Sequence, residues 1–331
     1  MASLVFPTLA KKTTLSDGTT YGYIHVPAAP GKPTFLFLHG APSSSYIWHN
    51  QVRWLPKKGF GVIAPDLLGY GDTDRPEEYE KYQFKYMMPH VHELVTKKIG
   101  VEKVIGVGHD FGSPFLSHTW THYKSMFSGL VFIAIGALFI DTKFDPDFII
   151  EMSQKMLGYS TQGYLKVFIS PEAASLIESK DHLFDTLMYA QDPEVWKTHL
   201  GAPGGLAKFL EANQPLPVAE WITPEELETH HRILKGGYTG VFNWYKAGIL
   251  MDPSEEDQRM TAEDKKITVP TMLVLANRDY ATIKEVQLQS TQAVAEDLRV
   301  EELDTGHWAM WEARERVEAL LEEFGERFVS V

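Results

Sequence analysis

Residues 103–115 read Lys103-Val104-Ile105-Gly106-Val107-Gly108-His109-Asp110-Phe111-Gly112-Ser113-Pro114-Phe115. The aliphatic run at 103–107 predicts a buried β-strand, and the pattern over 112–124 predicts a helix. Between them, Gly108 and Gly112 stand two residues before and two after Asp110, which lets strand and helix approach closely around a strained bend. Such a bend presents its central side chain at its tip. Taken alone, Gly-x-Asp-x-Gly also describes a glycine-rich turn with a helix-capping aspartate, so the wider chain has to separate the two.

Working outward, short aliphatic or β-branched runs at 34–38, 61–64, 130–135, 271–275 and 300–303 alternate with helical patterns at 84–98, 283–296 and 308–328. Strands alternating with helices predict a mostly parallel sheet covered on both faces, an α/β fold. In the last helix Val317, Leu320, Leu321, Phe324 and Phe328 form the face that would dock on the sheet. Pro89 is expected to delay or bend the first of these helices. From residue 140 to about 251 the strand pattern stops and a stretch rich in Met, Tyr and Leu intervenes. The expected organisation is therefore a core of residues 1–139 and 252–331 with an inserted, mainly helical cap at 140–251.

Two further residues complete a catalytic pattern with Asp110. Asp279 follows the strand at 271–275 and His307 follows the strand at 300–303. Nucleophile, acid and histidine in this chain order are the triad order of an α/β-hydrolase. His307 would be the base, with Asp279 orienting its ring. His39-Gly40-Ala41-Pro42 follows the strand at 34–38 and would bring the Ala41 N–H toward that of Phe111 as an oxyanion site. His39 and His109 read as structural, each beside a glycine in a packed turn.

Composition removes several function classes. A net charge of -13 disfavours nucleic acid or an anionic membrane as partner. No cysteine is present, which excludes disulfides, thiolate metal sites and thiol catalysis. Residues 1–14 place lysines after a short apolar run, the reverse of a secretory leader, and no apolar stretch approaches the roughly 20 residues of a membrane span. A cytoplasmic protein is expected; the oligomeric state is left open.

An aspartate nucleophile constrains the substrate. No Gly-x-Ser-x-Gly occurs in the chain, which disfavours serine esterase chemistry. A carboxylate is ionised at neutral pH and needs no base to attack. Attack on an ester would give a high-energy anhydride, whereas attack on a saturated carbon gives an ordinary ester. The substrate should carry an electrophilic sp3 carbon and a leaving group, either an epoxide oxygen or a halide. Tyr245, in Asn243-Trp244-Tyr245 near the end of the cap, is a candidate donor to an epoxide oxygen.

At this point the chain resembles, over essentially its whole length, the α/β-hydrolase-fold epoxide hydrolases. The matching pieces are 39–42, Asp66-Leu67-Leu68-Gly69-Tyr70-Gly71-Asp72-Thr73-Asp74, 108–112, 243–245, Asp279 and Gly306-His307. The resemblance implies two cap tyrosines that polarise the epoxide. Tyr245 matches the second, and for the first Tyr164 is preferred over Tyr159. It also implies a small apolar epoxide and water as reactants, with no metal or cofactor, and Pro42, Trp48 and Trp308 as the substrate-binding set. Phe111 stands where many members have tryptophan, a departure that weighs against the related haloalkane dehalogenases; Trp48 and Trp308 remain as other N–H donors. A non-catalytic binding protein on the same fold is the third reading, opposed by the complete triad.

Overall fold

The computed structural model describes residues 2–329. Its strands are β1 Ala10–Thr14, β2 Thr20–Val26, β3 Thr34–Leu38, β4 Gly61–Pro65, β5 Val104–His109, β6 Phe127–Ile133, β7 Thr271–Ala276 and β8 Leu298–Leu303. They form one sheet in the order β1-β2-β4-β3-β5-β6-β7-β8. β2 pairs antiparallel with β1 and β4, and all the other neighbours are parallel. β3, β4 and β5 are buried at every position, which is why they read as unbroken apolar runs. Burying each such Val, Leu or Ile contributes roughly 1.5–3 kcal/mol.

The sheet has a feature the sequence reading left out, the hairpin β1–β2. Ala10–Thr14 contains Lys11 and Lys12 and has no buried position. An edge strand of this kind hides its hydrophobic signal behind solvent-facing charge. Elsewhere the boundaries shift. β6 starts at Phe127 and ends where Ala134 takes a positive φ of 65°. The helix Phe84–Glu93 starts on time and passes through Pro89, with Met87, Met88 and Val91 buried around it, then widens into the π-helical turns Leu94–Ile99. The long C-terminal helix is interrupted at Ala313 (φ −117°, ψ 46°), giving Ala309–Glu312 and Arg314–Glu326.

Between β6 and β7 the chain makes a helical excursion that includes Pro146–Leu157, Leu165–Phe168, Asp181–Met188, Pro224–Leu234 and Tyr238–Leu250, and no strand of the sheet. Directed hydrogen bonds fasten it to the core. Asn243 Nδ2 donates to Glu77 O at 2.9 Å and Trp244 Nε1 to Leu68 O at 2.8 Å. Trp308 Nε1 donates to Met188 O at 2.7 Å, and His49 Nε2 lies 3.0 Å from Glu226 Oε1. Among the described residues no helix is long and apolar enough to cross a membrane.

Candidate active site

The carboxyl ends of β5, β7 and β8 lie on one edge of the sheet, the edge where ligands bind in folds of this type. β5 ends at His109, and Asp110 then bends the chain into the helix Gly112–His122. The bend holds Asp110 at φ 51°, a left-handed conformation that costs a non-glycine residue of order 1–3 kcal/mol and persists only where the surroundings enforce it. Gly112 is required by close approach, because a Cβ there would lie 2.1 Å from Leu38 O. Gly40 is required from the other side, since its Cβ would fall 2.2 Å from Asp110 Oδ1.

That clearance lets the Ala41 N–H donate to Asp110 Oδ1 at 2.7 Å, and the Phe111 N–H lies close enough to favour the charged carboxylate. The other oxygen, Oδ2, faces His307 Nε2 at 3.6 Å. His307 Nδ1 is held by Asp279 Oδ2 at 2.7 Å, while Ala281 N–H donates to Asp279 Oδ1 at 2.9 Å. Asp279, His307 and Asp110 are thus aligned in a row, carboxylate to imidazole to carboxylate. Burial pushes the Asp110 carboxyl above its ordinary value, opposed by the charge of His307 and the Ala41 and Phe111 N–H groups. Burial pulls His307 down, but the charge and hydrogen bond of Asp279, with the charge of Asp110, outweigh it and leave the imidazole raised.

The two neighbouring histidines are tied up elsewhere. His39 Nδ1 bonds Gly40 O at 2.9 Å while Nε2 accepts from Leu67 N–H at 2.9 Å; burial lowers it to about 4, so the ring is neutral. His109 Nε2 donates to His307 O at 2.9 Å, fixing the backbone beside the His307 ring.

A cavity opens above Asp110. Ala41, Pro42, Asp110, Tyr164, Phe168, Met188, Trp196, Leu200, Tyr245, Ala281, His307 and Trp308 line a tight compartment of about 30 Å³. A second, more apolar compartment of about 120 Å³ shares Asp110, Tyr164 and Tyr245 with it and adds Phe111, Pro114, Ile135, Leu138 and others. Tyr164 and Tyr245 meet edge to face with centroids 6.2 Å apart. Burial, with the charge of Asp110, drives both phenols well above their ordinary value, so both are protonated donors at neutral pH. Asn243 and Trp244 explain how Tyr245 gets there, since their hydrogen bonds pin the helix and leave the next side chain facing the cavity.

Sequence-selected residues not brought together here are equally informative. Tyr159 packs on Tyr280 at 6.0 Å, under Lys197, away from the cavity lining. Trp48, expected at the substrate, does not line the cavity: it is fully buried, with its ring against Phe37 and His109. Trp308 does line it, but its indole N–H is taken by Met188 O. The sequence reading missed Phe168, Met188, Trp196 and Leu200, which come from three segments of the insertion, Trp196 and Leu200 from one helical turn.

With this geometry in place, comparison with known proteins is direct. The family model described as alpha/beta hydrolase fold matches residues 33–314, and the chain belongs to that family. Among curated relatives, Epoxide hydrolase A of Mycobacterium tuberculosis is 25% identical over 307 residues, spanning 89% of this chain and 91% of that protein. Epoxide hydrolase 2 of Siraitia grosvenorii is 28% identical over 235 residues, 68% of this chain and 69% of that protein. In three dimensions, the crystal structure of Epoxide Hydrolase A from Mycobacterium thermoresistibile superposes with a TM-score of 0.74 at 22% identity, covering 95% of this chain and 98% of that one. An epoxide hydrolase from an endophytic Streptomyces gives 0.76 at 22% identity over 95% and 94% of the two chains.

Proposed function

We propose that this protein hydrolyses epoxides to vicinal diols through a covalent ester on Asp110. The observation that carries the reading is an ionisable carboxylate and two protonated phenols lining one apolar cavity, with the triad histidine 3.6 Å from the carboxylate. The names of the curated relatives support it. In this reading residues 1–139 and 252–331 form the core that carries the nucleophile, and 140–251 form the cap that carries the phenols.

In the first step Asp110 Oδ2 attacks one epoxide carbon and the bond from that carbon to the ring oxygen breaks. Tyr164 and Tyr245 hydrogen-bond the oxygen as it gains charge and supply its proton, stabilisation greatest in the transition state. Asp110 Oδ1, already held by the Ala41 N–H, becomes the ester carbonyl oxygen. Water then attacks the ester carbon as His307 Nε2 takes its proton, and negative charge builds on Oδ1, stabilised by the Ala41 N–H and the nearby Phe111 N–H. Collapse breaks the bond to the alkyl oxygen, which takes a proton from His307 as the diol leaves, and the proton left on the Asp110 carboxyl passes to the tyrosine that gave up its own, restoring both groups. Ester formation also erases the Asp110 charge, one of the influences raising His307, so the imidazole becomes a readier neutral base at the step that needs one.

Halide displacement is the competing chemistry. The indole N–H of Trp308 is taken by Met188 O, that of Trp196 by Leu187 O at 2.7 Å, and Phe111 and Ala41 offer no side-chain donor. The test is incubation with a simple aryl epoxide and, separately, a haloalkane. Diol formation without halide release is expected. Halide release without diol would overturn the reading in favour of a dehalogenase, and neither product in favour of a binding protein.

A further inference from the structure

Away from the catalytic cavity, one group of titratable side chains in the helical insertion has no role in this chemistry. Asp181 and His182 open the helix Asp181–Met188, and His231 comes from Pro224–Leu234, which packs against it. One ligand atom from each of Asp181, His182 and His231 lies within 4.8 Å of the others. Asp181 is half-buried, His182 exposed and His231 buried, so the group is reachable from solvent with one wall inside the protein.

His231 is the informative residue. Its side chain is 4% exposed, and Nδ1 lies 2.9 Å from Asp185 Oδ2. A carboxylate only accepts, so Nδ1 carries a proton toward Asp185, and Nε2 is the nitrogen an ion could take. That Nε2 is buried with no hydrogen-bond partner, and it faces Asp181 Oδ2 at 3.4 Å. Carboxylates flank the ring on both sides, Asp185 at Nδ1 and Asp181 at Nε2, an arrangement that attracts a cation, and the Nε2–Asp181 pair makes no hydrogen bond as placed, which leaves that position open to an ion. Metal-binding histidines ordinarily take this form, with one ring nitrogen held by a carboxylate and the other turned to the ion. In a tetrahedral site with ligand bonds of about 2.0–2.1 Å, neighbouring ligand atoms lie roughly 3.4 Å apart, the spacing His231 and Asp181 already have. His182 stacks on His231 with centroids 3.7 Å apart and planes at 15°; being exposed, it is free to turn a nitrogen inward.

We propose that Asp181, His182 and His231 bind a divalent transition-metal ion, with Asp185 orienting His231 and water completing the coordination. Two imidazoles and one carboxylate suit Zn²⁺, whereas Mg²⁺ and Ca²⁺ call for oxygen ligands. The ion would fasten the start of the helix Asp181–Met188 to its neighbour. The end of that helix supplies Leu187 O to Trp196 and Met188 O to Trp308, both in the cavity wall, so the site would brace the roof of the active site without touching substrate.

The test uses the full chain stripped of metal with a chelator and titrated with Zn²⁺ by calorimetry near pH 7.5, with Tm measured in parallel. Saturable binding in the micromolar range or tighter is expected. Zn²⁺ at a hundred times Kd should raise Tm by about 5 °C, and Co²⁺ should give the visible absorption of a tetrahedral site. His182→Ala, at an exposed position, should keep the metal-free Tm and weaken Zn²⁺ binding at least about tenfold; Asp181→Asn should weaken it similarly. No saturable binding by 100 µM Zn²⁺, or equal affinity in His182→Ala, would overturn the proposal. Neither outcome bears on epoxide turnover, which is scored separately.

Discussion

On the floor of the cavity, Ala41 N–H holds Asp110 Oδ1 at 2.7 Å, Asp279 holds His307 at 2.7 Å, and Ala281 N–H holds Asp279 at 2.9 Å. On the roof, the rings of Tyr164 and Tyr245 meet edge to face, and among the described residues no backbone carbonyl accepts from either hydroxyl. In the proposed mechanism, groups that must keep one position through every turnover are tied by backbone at the strand ends, whereas the two phenols that would give their hydrogen bonds to a substrate are left unspent on fixed acceptors. The sheet side would then supply orientation, and the helical insertion would supply donors together with apolar shape.

This contrast can be attacked at both ends. The largest effect is expected on the floor: Asp110→Asn should cut steady-state kcat on the order of 10⁴-fold, measured by diol release, and residual activity within tenfold of the parent would mean another nucleophile. On the roof, Tyr245→Phe should slow single-turnover alkylation by about 10²–10³-fold while shifting the urea midpoint little, since the ring stays packed against Phe111 and Phe168. An unchanged alkylation rate would remove the phenol from the mechanism, and a collapse in stability would make it a core residue instead.

The seam between floor and roof should respond to pH. The hydrogen bond from His49 comes first in holding the Glu226 carboxyl down to about 2, against burial and with help from Thr223. A carboxyl depressed in the folded state stabilises the fold above its unfolded pKa, roughly 4.3, and that contribution is lost as pH falls through the folded value. Glu226 is partly solvated, so screening limits it to about 1–2 kcal/mol. Glu226→Gln should be less stable by that amount at pH 6 by urea unfolding, with the gap closing below about pH 4. A gap independent of pH would show that the pair does not clamp the cap through charge.

The same contrast governs what could be read from the sequence. The floor was legible because its parts are local motifs at strand ends: Gly108 to Gly112, His39 to Pro42, and single residues after β7 and β8. The roof was legible only in part. Tyr164 and Tyr159 are five residues apart with similar surroundings in sequence, and only packing turns one toward the cavity and the other onto Tyr280. Met188, and Trp196 with Leu200 one helical turn on, reach the cavity through the placement of their helices in the fold, which the local sequence does not encode. Trp48 misled for the converse reason, since proximity in sequence to the Ala41 loop did not bring its ring to the substrate side. The hairpin β1–β2 escaped because its lysine-bearing edge lacks the apolar run that marked the other strands.

The most direct test is to mix His307→Gln with an aryl epoxide and weigh the intact protein. With the nucleophile present and water activation removed, the mass should rise by that of one epoxide and the label should map to Asp110. A variant that stays at its unmodified mass while the parent turns over, or one alkylated at a different residue, would contradict the account.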